Sequence, residues 1–179
     1  MSDAPTDPKY LEMFPAWLRT LGEDAGALGA LVSGDASEQV KRHVIAGLNY
    51  IFKSLDLIPD GIDDLGFMDD AFVLRVAAAL ATQGEPAAKT GALERLALDA
   101  AEVKAFLGAD YVRLETYVKG LHKGAARGRT VDDIIDDAAQ RTEFVHEVAA
   151  WAKDYQAPSF TRDPKTLLKL KSFLNAKLP

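Results

Sequence analysis

The sequence contains no cysteine, which removes disulfides, thiolate nucleophiles, cysteinyl zinc sites and iron–sulfur clusters. Histidine is scarce, at three residues, and serine is sparse. Neither a Gly-x-Ser-x-Gly nucleophile elbow nor a His-rich metalloprotease pattern occurs, which lowers the case for an enzyme. An excess of positive charge is also missing. Lys and Arg number 21 against 27 Asp and Glu, for a formal net charge of −6. No nucleic-acid partner is therefore expected. The longest apolar run, Ala71 to Ala81, is broken by Arg75 and falls short of the roughly 20 residues a bilayer span needs. The acidic start Met1-Ser-Asp-Ala-Pro-Thr-Asp7 lacks the basic and apolar regions of a signal peptide, so a cytoplasmic location is expected.

β-Branched residues are few as well. Val and Ile total 17 against 51 Ala and Leu in 179 residues, a ratio that favours helix over strand. An apolar fraction of 48% supports an ordinary core without metal or disulfide staples. No segment alternates as a strand would, and there is no internal repeat. The expected fold is an all-α, irregular bundle of about seven or eight helices. Asp7-Pro8 opens the first helix, with Leu11, Phe14, Leu18 and Leu21 on its apolar side and Pro15 expected to kink or split it. A glycine-punctuated stretch follows. Asp35 and Glu38 have capping-box spacing before a stripe of Val40, Val44, Leu48, Ile51 and Leu55, which Pro59 and Gly61 should stop. A third helix runs from Phe67 or Met68 to Ala81. Residues 83–91 read as a linker, dividing the chain into regions 1–84 and 85–179 that are expected to pack as one domain. Beyond it come helices around Leu93 to Leu107 and Leu114 to Leu121. A long helix capped by Thr130 then carries Phe144, Val148, Trp151 and Tyr155, and a last one starts at Asp163-Pro164.

The most distinctive stretch is the connection between the second and third helices. From Ser54 to Asp70 it holds six aspartates, Asp56, Asp60, Asp63, Asp64, Asp69 and Asp70, and no basic residue. Like charges this dense repel, so the turn should gain something local from them. Two accounts stand side by side. In the first, the carboxylates accept backbone N–H bonds in the turn and at the next helix start, while Leu57, Ile58, Ile62, Leu65 and Phe67 plug it into the core. In the second, several of them hold a hard divalent cation, Mg²⁺ or Ca²⁺. An EF-hand loop begun at Asp56 would put Ile58 at its third position and Phe67 at its twelfth, so an EF-hand is excluded. No other cofactor is expected.

The same residues carry a resemblance. Tyr50, Ser54, Asp56, Leu57, Ile58, Pro59, Asp60, Ile62, Gly66, Phe67, Asp69 and Asp70 resemble the signature of the YkvA-like domain-of-unknown-function family, over about forty residues from Val40 to Leu80. The resemblance implies a helix–turn–helix unit, often near membranes in its relatives, with no established reaction. Where family members often carry a second proline before the Leu-Gly pair, this chain has Asp63 and Asp64, which adds charge to the turn.

Three further patterns complete the reading. Glu143 and His146 form one Glu-x-x-His; di-iron bundles need two, so a surface pair is expected. The loop Lys119 to Arg129 is basic and glycine-rich, and Lys123, Arg127 and Arg129 are candidates for anion contact at a helix start, though its glycines match no phosphate-binding fingerprint. The C-terminal segment sets Lys165, Lys169 and Lys177 beside Leu167, Leu170, Leu174 and Leu178, a pattern that suits core packing, an acidic partner or an anionic membrane. The leading expectation is a non-catalytic cytoplasmic module that binds a partner protein or a membrane surface, peripheral at the inner membrane in the latter case. The alternatives are a divalent-metal-dependent protein using the aspartate turn, and an enzyme whose site is assembled only in space.

Overall fold

The computed structural model describes residues 6–54 and 56–179. Among them the chain is all helical: α1 (Lys9–Val32), α2 (Glu38–Ile51), α3 (Met68–Gly84), α4 (Gly91–Leu107), α5 (Tyr111–Lys119), α6 (Val131–Asp136), α7 (Ala138–Asp154) and α8 (Pro164–Lys177), with single 3₁₀ turns at Pro86–Ala88, Gly108–Asp110 and Leu121–Lys123. None of these helices is long and apolar enough to cross a membrane.

Short polar side chains set most of the starts by accepting otherwise unpaired N–H groups. Asp7 accepts from Lys9 N–H at 3.0 Å, Ser37 from Val40 at 3.3 Å and Asp163 from Lys165 at 2.8 Å. Ser37 thus caps α2, not Asp35, because the cap must directly precede the first helical residue. Thr130 and Asp133 form a reciprocal capping box. The long helix expected after Thr130 is divided at Asp137, whose extended backbone lets its carboxylate accept from Ala139 and Gln140 and start α7 afresh. Pro15 does not divide α1. It removes one N–H, and tertiary packing of Phe14, Pro15 and Trp17 outweighs that loss. The glycine-punctuated stretch lies within α1. Gly22, Gly26 and Gly29 line one face of α1 against α7, where a Cβ on Gly22 would lie 2.9 Å from the Ala152 carbonyl oxygen. α2 stops at Ile51, well before Pro59, and Leu55 lies outside the described residues.

α3 is the central element. Met68 to Ala78 is buried throughout, the signature of a helix enclosed by others, and it packs most extensively on α4 and α2. Its alanines allow close approach: a Cβ on Gly47 of α2 would sit 2.9 Å from that of Ala77. Rings of Tyr10, Phe14, Trp17, Phe72 and Phe106 join α1, α3 and α4, with neighbouring centroids 5.0–6.0 Å apart. One apolar core draws on residues from both sides of the 83–91 connection.

Candidate functional site

The α2–α3 connection is a knot rather than a loop. Tyr50, in the last turn of α2, is buried, and its hydroxyl donates to Asp69 Oδ2 at 2.5 Å while accepting the Leu57 N–H at 2.7 Å. The Ile58 N–H donates to the same Asp69 oxygen at 3.2 Å. One carboxylate at the start of α3 thereby holds the Asp-Leu-Ile-Pro segment, whose Leu57 and Ile58 side chains are buried. The return path is equally constrained. A Cβ on Gly66 would lie 2.3 Å from the Asp60 carbonyl oxygen, so only glycine fits. Asp64 and Phe67 adopt left-handed φ of 65° and 67°, conformations that cost non-glycine residues energy. Asp64 Oδ1 accepts from the Thr161 N–H at 2.8 Å and its hydroxyl at 2.9 Å, fastening the segment that follows α7 across the knot.

The six aspartates divide sharply. Asp63 points to solvent, Asp60 lies at the exposed rim, Asp64 serves Thr161 and Asp56 is half-buried. Asp69 and Asp70 are buried, at 0% and 2% exposure. Four carboxylate oxygens in the knot, Asp56 Oδ1, Asp69 Oδ1 and both oxygens of Asp70, are buried without a hydrogen-bond partner among the described residues. Burial, then the Asp69 and Asp60 charges, pushes the Asp56 carboxyl up to about 7, against the pull of Lys53. Burial likewise raises Asp69, although hydrogen bonds from Tyr50 and Ile58 oppose it. Asp70 is raised well above the usual carboxylate range, by burial, by the charges of Asp69, Asp60 and Asp56, and by a side-chain hydrogen bond with Asp69 that only its protonated form makes. The cluster therefore needs positive charge, and a proton or a cation can supply it. Among the described residues no three His, Asp or Glu side chains already converge as a metal-ligand set, so a cation here would draw on backbone oxygens or water besides the carboxylates.

The other candidate residues lie elsewhere. Arg129 is buried and pairs with Glu147, and its carbonyl accepts from Asn49 Nδ2 at 3.1 Å. Arg127 also faces Glu147, at 3.5 Å, and lies over the Phe52 ring. Both are engaged in fixing the loop between α2 and α7, while Lys123 remains exposed. On α8 the leucine stripe, Leu167, Leu170 and Leu174, with Leu178 just beyond, is buried in the chain's own core, and Lys165, Lys169 and Lys177 stay in solvent. Glu143 and His146 are exposed on α7. Sequence reasoning missed two residues near the knot. Lys53, only three positions before Asp56, was within reach of it. Tyr155 was not: its hydroxyl donates to the Leu18 carbonyl at 2.7 Å, and burial with the charges of Asp70 and Asp60 raises its pKa, a proximity created only by the docking of α7.

Compared with protein-family models, curated proteins and solved structures, the chain matches none.

Proposed function

We propose that the chain is a non-catalytic helical binding module whose acidic knot takes up a divalent cation. The observation that carries this is the set of four buried carboxylate oxygens on Asp56, Asp69 and Asp70 that, among the described residues, have no hydrogen-bond partner. Buried carboxylates are ordinarily paired or hydrogen-bonded, because stripping water from an unpaired charge is costly. Oxygen-only ligands favour Mg²⁺, Mn²⁺ or Ca²⁺ over softer metals. A cation bound there would join the α2 end to the α3 start. The resemblance to the YkvA-like family belongs to the same proposal, since Tyr50, Asp56, Leu57, Ile58, Pro59, Asp60, Gly66, Asp69 and Asp70 are the residues of the knot.

Thermal unfolding with each ion tests the reading. A ligand bound only by the folded state stabilises by about 2.7 kcal/mol at a hundredfold excess over Kd, so a concentration-dependent rise in Tm is expected. A flat response at millimolar Mg²⁺, Mn²⁺ and Ca²⁺ would overturn it.

A second reading, attraction to an acidic partner or anionic membrane, rests on the outer face of α8. There Leu168, 49% exposed, sits between Lys165 and Lys169. With the leucine stripe turned inward, such attraction would be electrostatic rather than insertion. Flotation with anionic liposomes at low salt tests this, and no co-migration would remove it.

A further inference from the structure

A cavity of about 420 Å³ opens between the residues that follow α2 and the face of α5, with Lys53, Val112, Arg113, Thr116, Tyr117 and Leu121 among its lining residues. Its volume falls within the range of roughly 300–1,000 Å³ typical of small-molecule sites. The walls are mainly apolar, and Val112 is 65% exposed where it faces this space. An apolar side chain that open, beside a cavity, is one the chain's own core does not use.

Two cations border the cavity, and they differ in how far they are committed. Arg113 is engaged: it pairs with Asp110 at 2.9 Å and donates to the carbonyls of Asn175, Leu178 and Pro179 at the end of α8. Lys53 donates to the Tyr117 hydroxyl at 3.2 Å and, among the described residues, forms no ion pair. Lys53 also feels the half-buried Asp56 through space. Apolar walls with an ammonium that makes no ion pair among the described residues, held over the Tyr117 ring at 5.2 Å from its centroid, and a phenol hydroxyl suit one kind of guest.

We infer that this cavity binds a single-chain amphiphile with an anionic head group, its carboxylate on Lys53 and Tyr117 and its alkyl chain along Val112 and Leu121. The site shares no carboxylate with the acidic knot.

The test uses octanoate as probe, with octanol and octylammonium as comparisons, followed through the methyl NMR signals of the full chain. Octanoate is expected to shift Val112 and Leu121 saturably while leaving the exposed Leu98 and Leu168 unmoved. Lys53→Gln should weaken octanoate roughly tenfold, the scale of one charge-assisted hydrogen bond, and leave octanol unchanged. Val112→Asp, at an exposed position that folding does not depend on, should abolish both. The inference is overturned if no saturable shift appears, if octylammonium binds as well as octanoate, if K53Q or V112D binds like the parent, or if Leu98 and Leu168 shift in parallel, which would signify detergent-like adsorption.

Discussion

Arg75 and Asp70 lie little more than one turn apart on α3 and are both buried, at 0% and 2% exposure, yet their charges are settled differently. Arg75 stacks on the Trp17 ring with 3.9 Å to its centroid, donates to Asp99 at 3.1 Å and to the Ala71 carbonyl at 3.0 Å, and lies 3.8 Å from Asp24. Asp24 in turn pairs with Arg95. Burial alone would drive the guanidinium far down; with Asp99 and Asp24 resisting, it stays at about 10 and charged. Around Asp70 the neighbours are Asp69, Asp60 and Asp56, and every one of them raises its pKa. The first cluster is balanced in charge, although Arg75 Nη2 is buried without a hydrogen-bond partner among the described residues, and it joins α1, α3 and α4. The second is open, and its balance depends on what solution provides.

Breaking the balanced cluster should have the largest effect. Arg75→Met leaves the buried Asp24 and the half-buried Asp99 short of a counter-charge. A loss of about 3–5 kcal/mol is expected, the range for removing one partner of a buried pair, measured by urea denaturation. A loss below about 1 kcal/mol would mean that Arg95 alone satisfies Asp24, and the contrast with Asp70 would weaken.

The open cluster predicts a pH dependence that the balanced one does not. With divalent cations chelated, Asp56, Asp69 and Asp70 prefer to be protonated in the folded state, whereas the unfolded chain releases those protons near pH 4. Between those values the native state binds more protons, so stability falls as pH rises. The contribution is complete below about 4 and is progressively lost as pH climbs through the raised values of the three carboxyls, about 7 for Asp56, with Asp70 also well above its ordinary range. Denaturant midpoints across that interval should decline in metal-free protein and recover when a divalent cation is added. A midpoint that climbs steadily from pH 4 to 7 without metal would contradict the picture of under-compensated carboxylates.

Much of the framework was legible from local chemistry. Asp7, Thr130 and Asp163 announced their helix starts, and the glycine at 108 and the 83–91 connection mark ends that the structure keeps. What was not legible is non-local. The glycine-punctuated stretch after Leu21 gave no sign that α1 runs on to Val32, since glycines weaken a helix in isolation; only the approach of α7 makes the missing side chains of Gly22, Gly26 and Gly29 useful. Arg127 and Arg129 read as free cations because Glu147 lies a helix away. The six aspartates are chemically identical in sequence, and nothing in their spacing separates Asp70, buried, from Asp63, exposed. That division follows from the left-handed residues Asp64 and Phe67 and the close passage at Gly66.

Tyr50→Phe probes the bolt of the knot. It removes the donor to Asp69 and leaves the Leu57 N–H without its acceptor. A cost of about 2 kcal/mol is expected from urea denaturation, since a buried backbone donor loses its partner. An unchanged midpoint would show that Ile58 alone holds the segment.

Asp70→Asn is the smallest perturbation and the most discriminating. The amide keeps the shape of the carboxyl group and cannot ionise, so the cost of burying charge beside Asp69 disappears. In metal-free protein near neutral pH the substitution should raise Tm by roughly 2–4 °C, the shift that 1 kcal/mol produces in a chain of this size. Added Mg²⁺, Mn²⁺ or Ca²⁺ should then have little further effect, because a neutral amide oxygen replaces a charged ligand. The parent should behave in the opposite sense, lower without metal and higher with it, so the two curves cross as the cation concentration rises. If D70N is instead less stable than the parent in chelator, the Asp70 carboxyl is itself a stabilising hydrogen-bonding group, and the proton, not a divalent cation, is its natural partner.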